Sequence, residues 1–282
     1  MAPELVGRWI TPEPEALVIR SNKSSDGAGI NLGAALGARL SHGLQSFYGH
    51  TLPDIPGKEW ASATELLAAS MFFTDYCVLV NRLGLRFVDE SYGSIDEFNA
   101  QAGCRQPGGR YFVLFDEKLR RERVDADVVG IPGLAVTRQV ERLATIEALG
   151  ASACRGETIE ALAAAMESEW GVPAASVADT VRTYNEAPPR LEPPRRRDHS
   201  ALAEGPFYAI RCVAGITYTM GGLQVGTGME VAGAGAGVFA AGTDAGNVFE
   251  DAYGGGLAWA VVSGRVAGVG AAAVGAPAEV PA

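Results

Sequence analysis

Glycine is the residue that most constrains how this chain can fold. The sequence has 36 glycines in 282 residues, well above an average usage of about 7%. Glycine and alanine are most frequent between Gly205 and Gly275, and no collagen-like period is present. The glycines therefore indicate many places where the backbone turns sharply or comes very close to another group.

Two segments of this region predict a specific arrangement. Val238 to Gly242 predicts a buried strand that ends in glycine, and Tyr253 to Leu257 predicts a glycine turn that opens a long apolar helix. A strand, a glycine turn and a helix occur together where a dinucleotide approaches the backbone. Tight packing between a helix and a strand explains the same glycines without a ligand, so the segments alone leave both interpretations open.

The overall charge disfavours one class of partner. Hydrophobic residues make up 48% of the chain and charged residues 20%, which permits a sizeable core, and the formal net charge is −10. A nucleic-acid partner is disfavoured because phosphate neutralisation needs a basic face. The basic run Arg195 to Arg197 lies among prolines, and we interpret it as a solvated loop.

The cysteines and histidines favour a reduced protein without a metal. The four cysteines are scattered, no C-x-x-C pair occurs, and the sequence has three histidines. We therefore predict no zinc site, and reduced thiols in a cytoplasmic protein. The most apolar stretch, Gly254 to Gly275, is interrupted by Arg265 and by glycines. We interpret it as a core helix and predict no membrane span.

The first forty residues contain a strand, a polar turn and a helix. Ala16 to Arg20 predicts a short strand, and the apolar positions from Ile30 to Leu40 predict a helix. The turn between them, around Asp26, would offer free backbone N–H groups and the positive end of a helix dipole to an anion or a polar ligand. Capping of the helix by Ser25 or Asp26 is an equally good explanation.

The middle of the chain, from about His50 to Glu204, has ordinary composition and mixed elements. The predicted elements are a hairpin formed by Tyr76 to Asn81 and Leu85 to Val88, a strand at Tyr111 to Phe115, and helices at Thr158 to Trp170 and Pro173 to Asn185. Glu186 to Arg197 contains four prolines and predicts a surface linker.

Several segments in a fixed order resemble one flavoenzyme family. They are Ser25 to Gly29, Ala34 to Ala38, Phe47 to Pro53, Asn81 to Glu90 (the pattern N-x-x-G-x-R-F-V-x-E), Gly221 to Val225, Val238 to Asp244, Tyr253 to Ala258 and Gly264 to Gly268. Together they resemble the fumarate reductase and succinate dehydrogenase flavoprotein family, which includes 3-ketosteroid and tricarballylate dehydrogenases. Gly215 to Thr219 and the position of Asp244 are most similar to the tricarballylate-dehydrogenase-like branch.

The resemblance implies an α/β fold with an added α+β part. Residues 1–48 and 205–275 would form the C-terminal part of a Rossmann-like FAD domain, interrupted by an α+β capping (substrate) domain at residues 49–204 and followed by a tail at residues 276–282. The active site would lie between the two domains. The cofactor would be FAD, and the partner would be a small-molecule substrate of the ketosteroid or unsaturated or tricarboxylic acid type.

The resemblance also implies which residues bind FAD. Thr243 stands where the family has a Glu that binds ribose or ribityl, and Asp244 beside it can substitute. The helix N-terminus at Gly255 and Gly256 would lie near the carbonyl region of the flavin ring. The predicted cofactor-binding set is Asp26, Gly27, Gly29, Gly221, Gly222, Gly242, Thr243, Asp244, Gly255, Leu257 and Ala258.

Tyrosines replace charged residues at the implied catalytic positions. Ser94 replaces the arginine that delivers a proton in fumarate reductases, Tyr218 replaces a substrate-clamping histidine, and Tyr253 replaces an arginine before the glycine turn. In the ketosteroid dehydrogenase branch, a tyrosine at the place of Tyr253 binds or polarises a ketone. We therefore predict Tyr253 and Tyr218 as catalytic, although each tyrosine is equally well explained as a buried ring. The predicted substrate-binding residues are His50, Tyr92, Ser94 and Gly256.

These residues predict an FAD-dependent oxidoreductase acting on a CH–CH bond next to a carbonyl or carboxylate. Fumarate reduction itself is disfavoured by the lost arginines. The family's opening strand with G-x-G-x-x-G does not precede Asp26, so we expect an incomplete chain whose partner is the missing N-terminal FAD-binding portion. The alternative is a non-catalytic remnant, or a subunit of a split flavoprotein, that does not bind FAD alone. For His50, anchoring of a loop between domains is the competing explanation.

Overall fold

The computed structural model describes residues 2–93, 96–125, 141–187, 190–250 and 252–275. The strands are β1 Val18–Ile19, β2 Phe47–Pro53, β3 Val78–Val80, β4 Tyr111–Asp116, β5 Ala153–Gly156 and β6 Phe207–Thr219. The helices are α1 Pro3–Trp9, α2 Ala28–Ala35, α3 Ala63–Ala69, α4 Glu97–Gly103, α5 Glu117–Leu119, α6 Arg142–Ala148, α7 Ile159–Trp170, α8 Ala174–Glu186 and α9 Gly256–Gly275.

The chain divides into two compact units. The smaller unit comprises Met1–Pro12, Ser21–Tyr48 and Ile216–Ala282, and the larger unit comprises Glu13–Arg20 and Gly49–Gly215. Residues 205–215 thus lie in the larger unit, whereas the sequence analysis groups them with the FAD domain. The assignment of residues 49–204 to a capping domain stays a prediction, and the predicted tail at 276–282 lies outside the described residues.

The larger unit is built on a sheet packed with helices, in which the β3–β4, β4–β6 and β5–β6 pairs are antiparallel. Its central strand β6 pairs with β4 from Tyr111↔Cys212 to Asp116↔Phe207, and it also pairs with β1, β2 and β5. The strand β4 is buried along its whole length, and side chains from β3, β4, β6, α7 and α8 form one apolar core. All four cysteines are buried and free.

Three predicted elements of the larger unit are confirmed, and the predicted hairpin of Tyr76 to Asn81 and Leu85 to Val88 forms only at its turn. That turn is closed by a bond from Asn81 N to Leu85 O of 3.0 Å, but Val80↔Arg86 is an isolated bridge, and β3 pairs with β4 instead. The strand β4 begins at Tyr111 as expected. Helix α7 starts after Thr158, whose hydroxyl accepts from Ala161 N, and ends at Gly171 in the left-handed region. Helix α8 forms with Pro173 as its N-cap rather than its first residue.

The interpretation of Arg195 as part of a solvated surface loop is wrong. Its side chain is fully buried and lies 3.4 Å from Glu90 Oε2. One guanidinium nitrogen donates to Cys77 O at 2.9 Å, and the other donates to Asp75 O at 2.6 Å. Glu90 also binds Arg86, with Nη2 and Oε2 2.6 Å apart. The local sequence could not reveal this burial because the counter-charge lies 105 residues away in the chain.

In the smaller unit, Val238 to Gly242 does not form the buried, regular strand that the sequence analysis predicts. Glu230↔Phe239 is an isolated antiparallel bridge, and Val238 and Phe239 are only half-buried. Backbone pairing with Met229–Val231 holds this stretch. Glycines at 233, 235 and 237 take positive φ angles, so the chain turns immediately before the stretch and leaves it little length to form a ladder.

Helix α2 is also shorter than the sequence predicts. It ends at Ala35, Gly37 then takes a φ of +83°, and Leu40 forms only an isolated bridge with Leu223. The predicted strand at Ala16 to Arg20 is reduced to the two residues of β1. The causes differ, since Gly37 turns the chain after α2, whereas a 3-10 helix at Pro14–Ala16 takes up the start of the predicted strand.

The prediction that Gly254 to Gly275 forms a core helix is right about the helix and wrong about its burial. Leu257 is 85% exposed and Val261 is 73% exposed. By length and composition, α9 is the one helix of the described residues that could cross a membrane. Its segment Gly256–Val274 has a mean hydropathy of 1.6, and only 6% of that apolar stretch is buried. The absence of a membrane span therefore stays a prediction.

Candidate active site and cofactor-binding residues

The two predicted catalytic tyrosines contact each other in the smaller unit. The Tyr218 and Tyr253 rings are T-shaped, with centroids 5.6 Å apart. Tyr48 stacks on Tyr253 with centroids 4.0 Å apart and an angle of 18°, and Phe249 lies 5.6 Å from Tyr253 and 6.0 Å from Tyr218. These four residues, Tyr48, Tyr218, Phe249 and Tyr253, are the tyrosine cluster. The contacts among these rings hold both phenol groups in position.

Sequence reasoning missed two members of this cluster. Tyr48 lies inside the segment Phe47 to Pro53 that carries the family resemblance, and this was the only available signal. Phe249 lies in no recognisable motif. The Tyr48 ring meets Tyr253 across more than two hundred residues, whereas Phe249 is only four residues from Tyr253 and also reaches Tyr218.

The tyrosine cluster lies directly at the N-terminus of α9. A Cβ placed on Gly256, the first residue of this helix, would lie 3.0 Å from a ring carbon of Tyr218 and 3.0 Å from the Tyr253 hydroxyl. Gly256 is therefore a close-approach glycine that lets both tyrosines reach the helix end. The preceding Gly255 has a φ of +116°, which only glycine adopts readily.

We expect Gly256→Ala to displace the tyrosine cluster, although alanine suits a helix better than glycine. The added methyl group fits beside the two rings only if they move, so the near-ultraviolet circular dichroism and the ring-proton shifts of Tyr218 and Tyr253 should change. Gly264→Ala in the same helix is the matched control, because a Cβ there meets nothing within 4 Å. This control should stabilise α9 by roughly 0.5–1 kcal/mol. Unchanged ring signals in Gly256→Ala would contradict the close contact.

Burial changes the proton affinity of one phenol. Burial of the Tyr218 hydroxyl raises its pKa to about 12, and the neighbouring Tyr253 makes a smaller contribution in the same direction. Tyr218 therefore carries its proton at neutral pH, so that its hydroxyl can donate a hydrogen bond.

The end of α9 offers backbone donors next to these phenols. The first hydrogen bond of the helix runs from Trp259 N to Gly255 O at 3.1 Å. The N–H groups of Gly256, Leu257 and Ala258 precede it and point out of the helix end, where an acceptor oxygen is favoured by both the donors and the helix dipole. Leu257 and Ala258 are exposed.

A second group of predicted residues meets at the N-terminus of α2. The Asp26 carboxylate accepts from Ala28 N at 3.0 Å, but neither Ser25 nor Asp26 is the predicted N-cap, because Gly27 holds that position and no side chain caps the helix. The Asp244 carboxylate packs on Gly29, where a Cβ would lie 2.3 Å from Oδ1. Gly27 is the N-cap, with a φ of +81°. Two exposed carboxylates thus flank the first turn of one helix, an arrangement that suits hydroxyl groups better than phosphates because a carboxylate accepts hydrogen bonds and repels anions.

The remaining predicted cofactor residues lie beside the α2 N-terminus, where two of them pack closely against neighbouring backbone. Gly221 and Gly222 are buried, and a Cβ on them would lie 2.5 Å from Leu44 N and 2.6 Å from Asp244 O respectively. Close backbone packing therefore explains both glycines. The turn Gly242–Asp244 has Gly242 at a φ of +60° and leaves Thr243 exposed. Assignment of these residues to the cofactor stays a prediction.

The predicted substrate residues His50 and Tyr92 belong to the larger unit. His50 is buried, and its Nδ1 lies 2.6 Å from Asp96 Oδ1, while Thr51 N donates to the same carboxylate at 2.7 Å. This geometry fits the anchoring explanation for His50. Tyr92 is 40% exposed, with its ring 4.4 Å from Phe98. Ser94 lies outside the described residues. In the described part of the chain, no group of three or more His, Cys, Asp or Glu could hold a metal ion.

Glycine-opened helix ends with carboxylates and phenols beside them are typical of a class of protein, a domain that binds a cofactor at its helix N-termini. The chain belongs to the FAD-binding domain family, whose model, described as an FAD binding domain, matches residues 7–256. The residues present fit FAD, because the carboxylates at α2 suit its hydroxyl groups and the amides at α9 suit an oxygen of its ring. FAD is therefore the cofactor that the fold of this family binds.

Three similar proteins illustrate the family. A protein named as a probable fumarate reductase of Shewanella frigidimarina is 29% identical over 69% of this chain and 31% of its own length. The vinyl phenol reductase of Lactiplantibacillus plantarum is 27% identical over 89% of this chain and 53% of its own length. The solved 3-ketosteroid Δ1-dehydrogenase of Sterolibacterium denitrificans, at 19% identity, shares the fold with a TM-score of 0.62 over 96% of this chain and 51% of its own. This chain thus spans about a third to a half of these relatives.

Proposed function

We propose that this protein is an FAD-dependent oxidoreductase acting on a CH–CH or C=C bond next to a carbonyl or carboxylate. The observation that carries the proposal is the tyrosine cluster at the N-terminus of α9, in a chain of the FAD-binding family. Three similar proteins support the bond type, since they are named for fumarate, vinyl phenol and a ketosteroid. When bound, FAD supplies or accepts the hydride.

The phenols would handle the charge and the proton that accompany this hydride. Hydride addition to one carbon of a conjugated double bond places negative charge on the carbonyl oxygen and the carbon next to it. The Tyr253 hydroxyl would donate a hydrogen bond to that oxygen, and Tyr218 would give its proton to the carbon. Tyr218 is protonated before the reaction, since burial raises its pKa to about 12.

The test is turnover by flavin-loaded protein with a chemical electron donor. Conjugated enoic acids, vinyl phenols and 4-en-3-one steroids are supplied anaerobically in D₂O with reduced methyl viologen. We expect one class to be reduced, with one deuterium added to each carbon of the former double bond, because both the Tyr218 O–H and the hydrogen on the reduced flavin come from solvent. Flavin-loaded protein that turns over no class, in either direction, would overturn the proposal.

A further inference from the structure

Arg142, the first residue of α6, is a buried cation that no carboxylate neutralises. The residue is only 3% exposed. Arg86 and Arg195, whose side chains are buried to a similar degree, both pair with Glu90, whereas Arg142 forms no ion pair in the described part of the chain. A buried charge without a counter-charge is costly, so an anion from outside the chain would stabilise this guanidinium.

One nitrogen of this guanidinium has a structural role. Arg142 Nη1 donates to Ala68 O at 3.1 Å and to Ser70 O at 2.6 Å, and these carbonyls lie at the end of α3. A cation is favourable at a helix C-terminus, but the helix dipole places only about half an elementary charge there. Capping of α3 therefore explains Nη1 and leaves Nε and Nη2 without an explanation.

Nε and Nη2 form the edge of an arginine that binds carboxylates best. Their N–H groups are parallel, so they can donate to both oxygens of one carboxylate at once. Neither nitrogen of Arg142 makes a hydrogen bond in the described part of the chain. Neither is among the described polar atoms that are buried without a partner, which is expected of an edge that water or a small ligand can reach.

The acids that act on Arg142 are bound to other groups. Burial lowers the pKa of Arg142, while the Asp125 and Asp96 carboxylates act in the opposite direction. Asp125 pairs with Arg120, and Asp96 lies 2.6 Å from the ring of His50. Both carboxylates are therefore engaged elsewhere, and the Nε–Nη2 edge of Arg142 keeps its capacity for another anion.

Arg142 also lies on the same turn as a predicted substrate-binding residue. The turn follows α3 and begins at Ser70, whose carbonyl binds Arg142 and whose hydroxyl accepts from Arg20 Nη2 at 3.3 Å. Two residues on, the Phe72 ring meets the His50 ring edge-on, with centroids 4.5 Å apart. Two arginines and the predicted histidine thus border one short turn of the larger unit.

We propose that Arg142 binds a carboxylate group of the substrate and so selects anionic substrates over neutral ones. This inference rests on the proposed function and narrows its substrate to a conjugated carboxylic acid. Nε and Nη2 donate to the carboxylate, while Nη1 stays bound to the end of α3. Ser94 and Tyr218 stand where the family has a charged arginine and a histidine, and Arg142 supplies positive charge from a position that no recognised motif marks.

The test compares acids with their amides on the full chain without flavin. Acrylate, crotonate and cinnamate are each titrated beside the neutral amide of the same shape, and calorimetry measures the affinities. At least one acid should bind about tenfold or more tightly than its amide, because charge-assisted hydrogen bonds add at least this much. Arg142→Gln, which keeps an N–H donor for the α3 carbonyls, should abolish the difference. Arg142→Lys keeps the charge without the fork and should retain a smaller preference.

The matched control removes an arginine from the surface. The Arg182 side chain is 59% exposed, and Arg182→Gln should leave acid binding unchanged. The inference is overturned if no acid binds more tightly than its amide, or if Arg142→Gln keeps the preference. Should Arg142→Gln fail to fold, Arg142→Lys decides, since an undiminished preference in that variant would exclude a bidentate contact.

Flavin-loaded protein separates this inference from the proposed function. With an acid that is turned over, Arg142→Gln should raise KM by about tenfold and change kcat little, because the contact is the same in the ground state and the transition state. An unchanged KM, or turnover of neutral ketones alone, would overturn the inference and leave the proposed function standing. Acid binding through Arg142 without any turnover would leave the binding site standing and refute the proposed function instead.

Discussion

Tyr253→Phe is expected to lower turnover of the flavin-loaded protein by roughly 100-fold or more, the usual cost of losing one donor to a developing oxyanion. The substitution keeps the ring that stacks on Tyr48 and meets Tyr218, so it removes a hydrogen bond without opening a hole in the tyrosine cluster. Steady-state rates with the substrate found by screening measure the loss, which should fall on kcat.

The control for this prediction removes another hydroxyl hydrogen bond. Tyr208 donates to Glu117 Oε2 at 2.8 Å in the larger unit, and Tyr208→Phe should leave turnover nearly unchanged. Tyr218→Phe should also slow the reaction, because the proton must then reach the carbon from water instead of from a positioned phenol. If Tyr253→Phe stayed within about twofold of the parent, too little for a lost oxyanion donor, while Tyr218→Phe were inactive, the two roles would be assigned wrongly.

The second large effect is expected on stability. Glu90→Gln should destabilise the larger unit by about 3 kcal/mol or more, because removing one partner of a buried ion pair leaves an uncompensated charge. Here the loss strands two buried cations, since Arg86 and Arg195 both bind this carboxylate and their side chains are 4% and 0% exposed. Urea unfolding followed by circular dichroism measures the change.

The same substitution at an exposed site provides the comparison. Glu186 pairs with Arg182 at 3.3 Å, with side chains 64% and 59% exposed, and Glu186→Gln should change stability by less than about 0.5 kcal/mol. Equal effects at the two positions would show that the Glu90 network contributes nothing beyond a surface ion pair. The network also joins Arg195, in the proline-rich segment, to the backbone carbonyl of Cys77, just before β3.

The sequence predicted most of the elements whose signals are local. Helix α7 shows why, since Thr158 caps it and Gly171 ends it, and both residues are visible in the sequence. The strand β4 and the hairpin turn near Gly84 also follow from local patterns. The 13 residues of β6 were missed as one strand, because the sequence does not show that several other strands pair along its length.

The candidate site divides in the same way. The sequence alone determined that a glycine turn opens an apolar helix after Tyr253, that carboxylates lie near glycine turns, and, through ordered motifs, that the chain resembles an FAD-dependent family. Only the tertiary structure decided that Tyr48 and Phe249 hold the two phenols, that Arg195 is buried on Glu90, and that α9 is exposed along one side. Motifs and caps depend on neighbours in the chain, whereas stacking, burial and exposure depend on which distant segments meet.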